Sequence, residues 1–265
     1  MTGRAKHIID LWCNYQSLLG LLIIGLCCGL WSETVGSAED EPAYESLQIQ
    51  LTLNQLLGEQ QAARYGKILK PGDMNSWVVH LPRNSSADIP GVMVYVSPMK
   101  TGRIDPRWRE VMNEQNLIYI AANDSGNKTP TNRRMVLAVM AVKALALEHS
   151  FDTERIYVSG FSGGGRVASI LASQYPAVFT GALYICGVDF WKKDKTPAID
   201  RLLQNRFVFL TGSRDFNRDE TRKIYRKYLK AGAQQSKLMV IPGLAHAHPD
   251  AAALTEALQF LNGVD

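Results

Sequence analysis

Six short apolar runs, alternating with helix-like stretches, constrain this chain more than anything else in it. They lie at 92–96 (VMVYV), 117–121 (LIYIA), 156–158 (IYV), 182–185 (ALYI), 207–210 (FVFL) and 238–241 (LMVI). Runs this short, apolar on both alternating faces, suit strands buried between two layers of helices. Helical patterning fills the stretches 133–148, 164–174, 219–231 and 249–261, the last opening on Pro249 and Asp250 as helix starts favour. Strand and helix in this rhythm predict a three-layer α/β/α sandwich around a mostly parallel sheet. The segments 49–53 and 77–81 read as additional edge strands. No internal repeat, low-complexity tract or interdomain linker interrupts the pattern, and 265 residues are ample for one such domain.

The first 38 residues read as an export signal rather than as part of that domain. Arg4 and Lys6 precede fourteen uncharged residues from Leu18 to Trp31, too few to span a bilayer comfortably but matched to a signal core. Small residues at Gly36-Ser37-Ala38 then predict cleavage after Ala38. The alternative is an uncleaved membrane anchor lengthened by the 8–12 stretch. A lipoprotein signal at Cys27 is disfavoured by bulky Leu26. Cleavage removes two basic and two acidic side chains and leaves the net charge of +4 unchanged. It also removes three of the four cysteines, so the body keeps only Cys186 and forms no internal disulfide. The expected organisation is a signal over 1–38, a loosely ordered acidic and Gln-rich arm over 39–60, and a catalytic domain over 61–265.

In a parallel sheet, ligands bind beyond the carboxyl ends of the strands, so residues just past each run carry the functional information. After 155–159 comes Gly160-Phe161-Ser162-Gly163-Gly164-Gly165 and then a helix. This is a G-x-S-x-G turn in its strand–turn–helix setting. Small residues two before and two after the serine let strand and helix approach, and the N–H of Gly163 at the helix start faces any oxyanion formed on the substrate. A dinucleotide-binding reading competes, because 163–168 also fits G-x-G-x-x-A, with Asp189 past the next strand. It falls late in the chain rather than in the first βαβ unit. An acid and a histidine past later strands decide for the serine. Asp215 follows the 207–210 run, and His246 follows the 238–241 run. A serine hydroxyl needs an imidazole to take its proton, and the imidazole needs a carboxylate to orient it.

With those residues in view, the stretch from about 69 to 261 resembles the α/β-hydrolase superfamily, and within it the polyhydroxybutyrate depolymerase and feruloyl-esterase-like group. The resemblance rests on IYVSGFSGGGRVAS (156–169), the G-x-x-D turn at 212–215 and the PGLAH turn at 242–246. It implies hydrolysis of small-molecule or polymer-borne carboxylic esters through an acyl-enzyme, with Ser162 as nucleophile, Asp215 as acid and His246 as base. No cofactor, metal or nucleic-acid partner is implied, and a membrane partner only if the N-terminal segment stays uncleaved. One departure stands out. The group usually carries a His-Gly pair after the strand equivalent to 92–96, where a loop N–H completes the oxyanion hole. Here Ser97-Pro98-Met99-Lys100 follows, and proline has no N–H, which leaves Met99 as the aligned donor.

Other residues compete for roles. Asp189 is the alternative triad acid. Phe161, Phe190 and Trp191 are candidate substrate contacts, and Trp108 and Asn123 to Asn127 lie on the same expected rim. His246-Ala247-His248-Pro249-Asp250 spells H-x-H-x-D, but no further ligand pair completes a metal site, and His248 reads as a neighbour held away from Ser162. Asp219 and Glu220 read as helix caps, His149 as a helix-end imidazole, and the basic residues from Arg222 to Lys230 as a solvated face. A serine peptidase with the same triad, and a non-catalytic binding protein on the same fold, remain as alternatives.

Overall fold

The computed structural model describes residues 44–83, 89–191 and 196–264. Eight strands form one sheet in the order β1-β2-β4-β3-β5-β6-β7-β8. They are β1 (Tyr44–Thr52), β2 (Met74–Pro82), β3 (Gly91–Val96), β4 (Leu117–Ala122), β5 (Ile156–Phe161), β6 (Gly181–Ile185), β7 (Arg206–Gly212) and β8 (Ser236–Ile241). β2 runs antiparallel to both β1 and β4, and every pairing from β4 through β3 to β8 is parallel. The six strands expected from the apolar runs are all present, although β8 is the outer edge of the sheet and only partly buried. β3, β4 and β6 are buried at every position, because helices cover both their faces.

The helices are α1 (Leu53–Leu57), α2 (Glu59–Ala62), α3 (Arg109–Glu114), α4 (Thr131–Ala146), α5 (Gly163–Gln174), α6 (Ile199–Gln204), α7 (Arg218–Lys230) and α8 (Ala251–Asn262). The strand pleat sorts side chains between the two layers. Met93, Tyr95, Tyr119, Leu183, Val208 and Leu210 pack with Val111 and Met112 of α3 and with Leu254, Leu258 and Leu261 of α8. The alternate residues Tyr184, Phe207 and Phe209 turn the other way and meet Tyr228 of α7 edge to face. Phe207 and Phe209 are fully buried, which stabilises the fold by about 1.5–3 kcal/mol for each ring.

Several expectations need correction. From Tyr44 onward, the stretch expected as a loose arm over 39–60 is the outermost strand and two short helices, in one compact unit with the rest of the body. Its polar residues alternate with Leu47, Ile49 and Leu51, so composition suggested disorder where a half-buried edge strand forms. α8 starts at Ala251, not Pro249. Asp250 is its cap and accepts from the Ala253 N–H. Asp219 and Glu220 are not caps: they lie in the first turn of α7, bonded to Arg218 and Arg166. α1, α2, α3 and α6, six residues or fewer, are too short to show a helical period. The expected signal over 1–38 lies outside the described residues. Among those described, no helix is long and apolar enough to cross a membrane.

Candidate active site

The last residue of β5 is Phe161, and the next begins a turn that few residues tolerate. Ser162 has φ 55° and ψ −120°, outside the regions that L-residues favour. Serine is a preferred helix N-cap, yet its hydroxyl makes no capping bond to α5. The strained backbone instead aims Oγ at His246 Nε2, 2.9 Å away. The turn closes only because its flanks lack side chains. A Cβ on Gly160 would lie 2.4 Å from the carbonyl carbon of Gly164, and one on Gly164 would lie 1.9 Å from the carbonyl oxygen of Val96. The elbow thus packs α5 directly onto the end of β3.

His246 reaches Ser162 from the turn after β8. Its Nδ1 lies 2.8 Å from Oδ1 of Asp215, which sits in the turn after β7 with its side chain fully buried. Burial alone would push this carboxyl up. Hydrogen bonds from Thr211 Oγ1 (2.6 Å), the Asn217 N–H (3.0 Å), His246 and the Cys186 thiol outweigh it, and the net direction is down. Asp215 therefore stays ionised as a fixed acceptor for the imidazole. Cys186 Sγ, a carboxylate oxygen of Asp215 and a ring nitrogen of His246 lie within 4.8 Å of one another, the spacing of three metal ligands. Burial and then the hydrogen bond to Asp215 push the thiol up to about 12, and Sγ also lies 3.6 Å from the Ala247 carbonyl oxygen.

Two aromatic rings pack on His246. Phe161 lies 4.8 Å away, and Phe216 stacks at 4.1 Å with 78% of its surface exposed. Phe216, which was not singled out in the sequence, offers an apolar ring beside His246; its position next to Asp215 was the available signal.

The second histidine goes elsewhere. His248 Nε2 meets Tyr95 Oη at 3.0 Å, and Nδ1 meets Oδ2 of Asp105 at 3.2 Å. Asp105 is held down to about 2, chiefly by its Arg107 hydrogen bond. Burial outweighs Asp105 in lowering the His248 pKa. Trp108 donates to the Pro249 carbonyl, so this network ties the histidine turn to β3. H-x-H-x-D is thus dispersed among three tasks: Ser162 and Asp215 for His246, Tyr95 and Asp105 for His248, a helix cap for Asp250.

Asp189 turns to Arg166 (2.8 Å), which also binds Glu220 and so links α5 to α7. Phe190 and Trp191, expected to contact substrate, stack on each other and pack on Tyr228, with Trp191 only 8% exposed.

On the opposite side, Gly163 presents its N–H at the start of α5, with the Asn127 carboxamide against its Cα. A Cβ there would lie 2.3 Å from Asn127 Oδ1. Met99, the aligned second donor, gives its N–H to Ser97 Oγ at 3.0 Å, while its side chain is 66% exposed. The loop is anchored by the Asn127 N–H to the Pro98 carbonyl (2.9 Å) and the Asp124 N–H to the Lys100 carbonyl (2.6 Å).

Comparisons with known proteins fit this geometry. Residues 119–214 match the model of the family described as Esterase PHB depolymerase. A curated relative, poly(3-hydroxyalkanoate) depolymerase C of Paucimonas lemoignei, is 41% identical over 46 residues, which take in 17% of this chain and 11% of that protein. The structure of S-formylglutathione hydrolase from Staphylococcus aureus aligns with a TM-score of 0.59 at 12% identity, covering 87% of this chain and 100% of that one. A ferulic acid esterase aligns with a TM-score of 0.60 at 14% identity, covering 83% and 98%.

Proposed function

We propose, from the premise that this chain is an α/β-hydrolase in fold and esterase-like over residues 119–214, that it is an exported serine esterase acting through an acyl-enzyme on Ser162. The observation that carries the reading is the unbroken relay from Ser162 Oγ to His246 Nε2 (2.9 Å) and from His246 Nδ1 to Asp215 (2.8 Å).

Oγ attacks the ester carbonyl carbon while His246 Nε2 takes its proton. Asp215 holds the Nδ1–H tautomer and stabilises the imidazolium that forms. The N–H of Gly163, at the positive end of α5, receives the oxyanion. Collapse expels the alcohol, protonated by His246. A water, deprotonated by the same imidazole, then attacks the acyl-enzyme and frees Ser162. Phe216 and Met99, both exposed at the site, favour an ester with an apolar acyl or aryl part.

The test pairs a fluorophosphonate probe with a panel of p-nitrophenyl, feruloyl, acetyl-xylan and hydroxyalkanoate esters plus peptide amides. Wild type is expected to label and to cleave esters ahead of amides, and Ser162→Ala to do neither. A folded wild type that neither labels nor cleaves would make the fold a binding scaffold; preference for amides would make it a peptidase. Export rests on the 18–31 apolar run and the 36–38 small residues. Mass spectrometry of the exported protein should find Glu39 at its N-terminus, and an intact Met1 in the membrane fraction would replace the signal by an anchor.

A further inference from the structure

Arg134 is a buried cation that the triad does not use. It sits in the opening turn of α4 with 4% of its surface exposed. Its guanidinium donates to three backbone carbonyls: Ser125 from Nε (2.8 Å), Ser97 from Nη2 (3.0 Å) and Gly163 from Nη1 (3.3 Å). None of these partners is a carboxylate, and burial lowers its pKa; an arginine nonetheless stays charged.

For stability alone this is a poor arrangement. A buried charge without a counter-ion carries a desolvation penalty of several kcal/mol. The N-terminal ends of α4 and α5 add positive dipole ends beside it, which repel a cation. An apolar side chain would fill a buried helix position at lower cost.

The three acceptors explain the choice. Ser97 opens the loop that carries Pro98 and Met99. Ser125 lies in the segment whose Asp124 and Asn127 N–H groups anchor that same loop. Gly163 follows the nucleophile. A planar fork with five fixed donors can hold three carbonyls at set separations, which a lysine ammonium on a flexible stem cannot.

We infer that Arg134 is the positioning residue of the oxyanion hole, fixing the 97–100 loop against the Gly163 carbonyl and placing beside it a positive charge that pairs with no carboxylate among the described residues. This deepens the esterase reading and rests on it. The oxyanion charge appears only as the tetrahedral species forms, so the effect falls on kcat and spares KM.

The experiment uses the full chain as wild type, Arg134→Met, Arg134→Lys and Ser162→Ala. Turnover of a chromogenic ester is expressed per active site, counted by fluorophosphonate labelling taken to completion. Affinity for a boronic acid that forms a tetrahedral adduct on Ser162 is measured beside it. Arg134→Met should lower kcat per labelled site by roughly 10- to 100-fold, with KM within about threefold and boronate affinity falling in step with kcat/KM. Arg134→Lys, which keeps charge without the fork, should fall between. A merely structural arginine would reduce thermal stability and the number of labelled sites but leave kcat per site within about threefold of wild type. That result, or a rise in KM alone, overturns the inference. If the Met variant does not accumulate, the Lys variant decides on the same criteria. A wild type that neither labels nor turns over overturns the esterase reading and this inference together; an active wild type with unaltered variants overturns this inference alone.

Discussion

The two halves of the sheet meet at β5 and supply the site in different ways. On the β5–β8 side, the proposed chemistry falls to side chains at strand ends: Ser162, Asp215 and His246, linked by contacts of 2.8 and 2.9 Å. On the β3–β4 side it falls to backbone groups in segments that Arg134 bonds through their carbonyls. A side chain in a tight turn carries its function with it, whereas a backbone donor acts only where neighbouring segments hold it. The first half should therefore fail abruptly when altered, and the second gradually.

The largest effects test the first half. Ser162→Ala and His246→Ala should each lower kcat by roughly 10⁴- to 10⁶-fold, and the double variant should be little worse, because the pair acts as a unit. Additive losses in steady-state kinetics, with folding checked by circular dichroism, would break that description. Asp215→Asn should cost roughly 10³- to 10⁴-fold by leaving the imidazole in the wrong tautomer. Asp189→Asn, which breaks only its Arg166 ion pair, should stay within about threefold, as expected for a partly exposed pair. The reverse ranking of the two acids would move the carboxylate role to the β6 end.

Smaller effects sharpen the contrast at the rim. Phe216→Ala should raise KM for apolar esters by about three- to tenfold while kcat changes less, because an exposed ring is lost and the relay remains. An equal effect on acetyl and aryl esters would assign Phe216 to bracing His246 instead. The smallest effect concerns acid stability. Burial holds the folded His248 below its ordinary 6.5, and burial with the nearby Arg109 charge brings His80 down to about 4. Both bind protons more tightly when unfolded. Their contribution to stability is complete above about pH 6.5 and is lost as pH falls toward the folded values. Thermal melting should therefore move to lower temperature between pH 7.5 and 5, and less so in His80→Phe. A melting temperature that rises on acidification would contradict both shifts.

How much was legible follows from the same division. The inner strands announced themselves because burial on both faces demands continuous apolar runs. β1 showed only in part, through the edge-strand reading of 49–53, because one face of an edge strand stays polar: Gln48 and Gln50 are exposed while Ile49 is buried. The elbow was legible because sterics leave so few options around Ser162. His246 and Asp215 were favoured by chain order and by their places past the strands, with Asp189 left open as the alternative acid. The place of Phe190 and Trp191 was not legible, because aromatic residues past a strand look alike whether they face a substrate or Tyr228. Arg134 left no signal, since its partners are carbonyls and every residue has one.

By itself, the sequence determined the alternating sheet, the glycine-flanked turn and the order serine, acid, histidine, because each is set by local sterics or by the period of burial. Tertiary structure decided which histidine faces Ser162, which carboxylate receives it, and what holds the oxyanion loop. Those choices join segments 31, 84 and 37 residues apart through hydrogen bonds that exist only once β7 and β8 lie side by side and α4 has packed beneath the 97–100 loop.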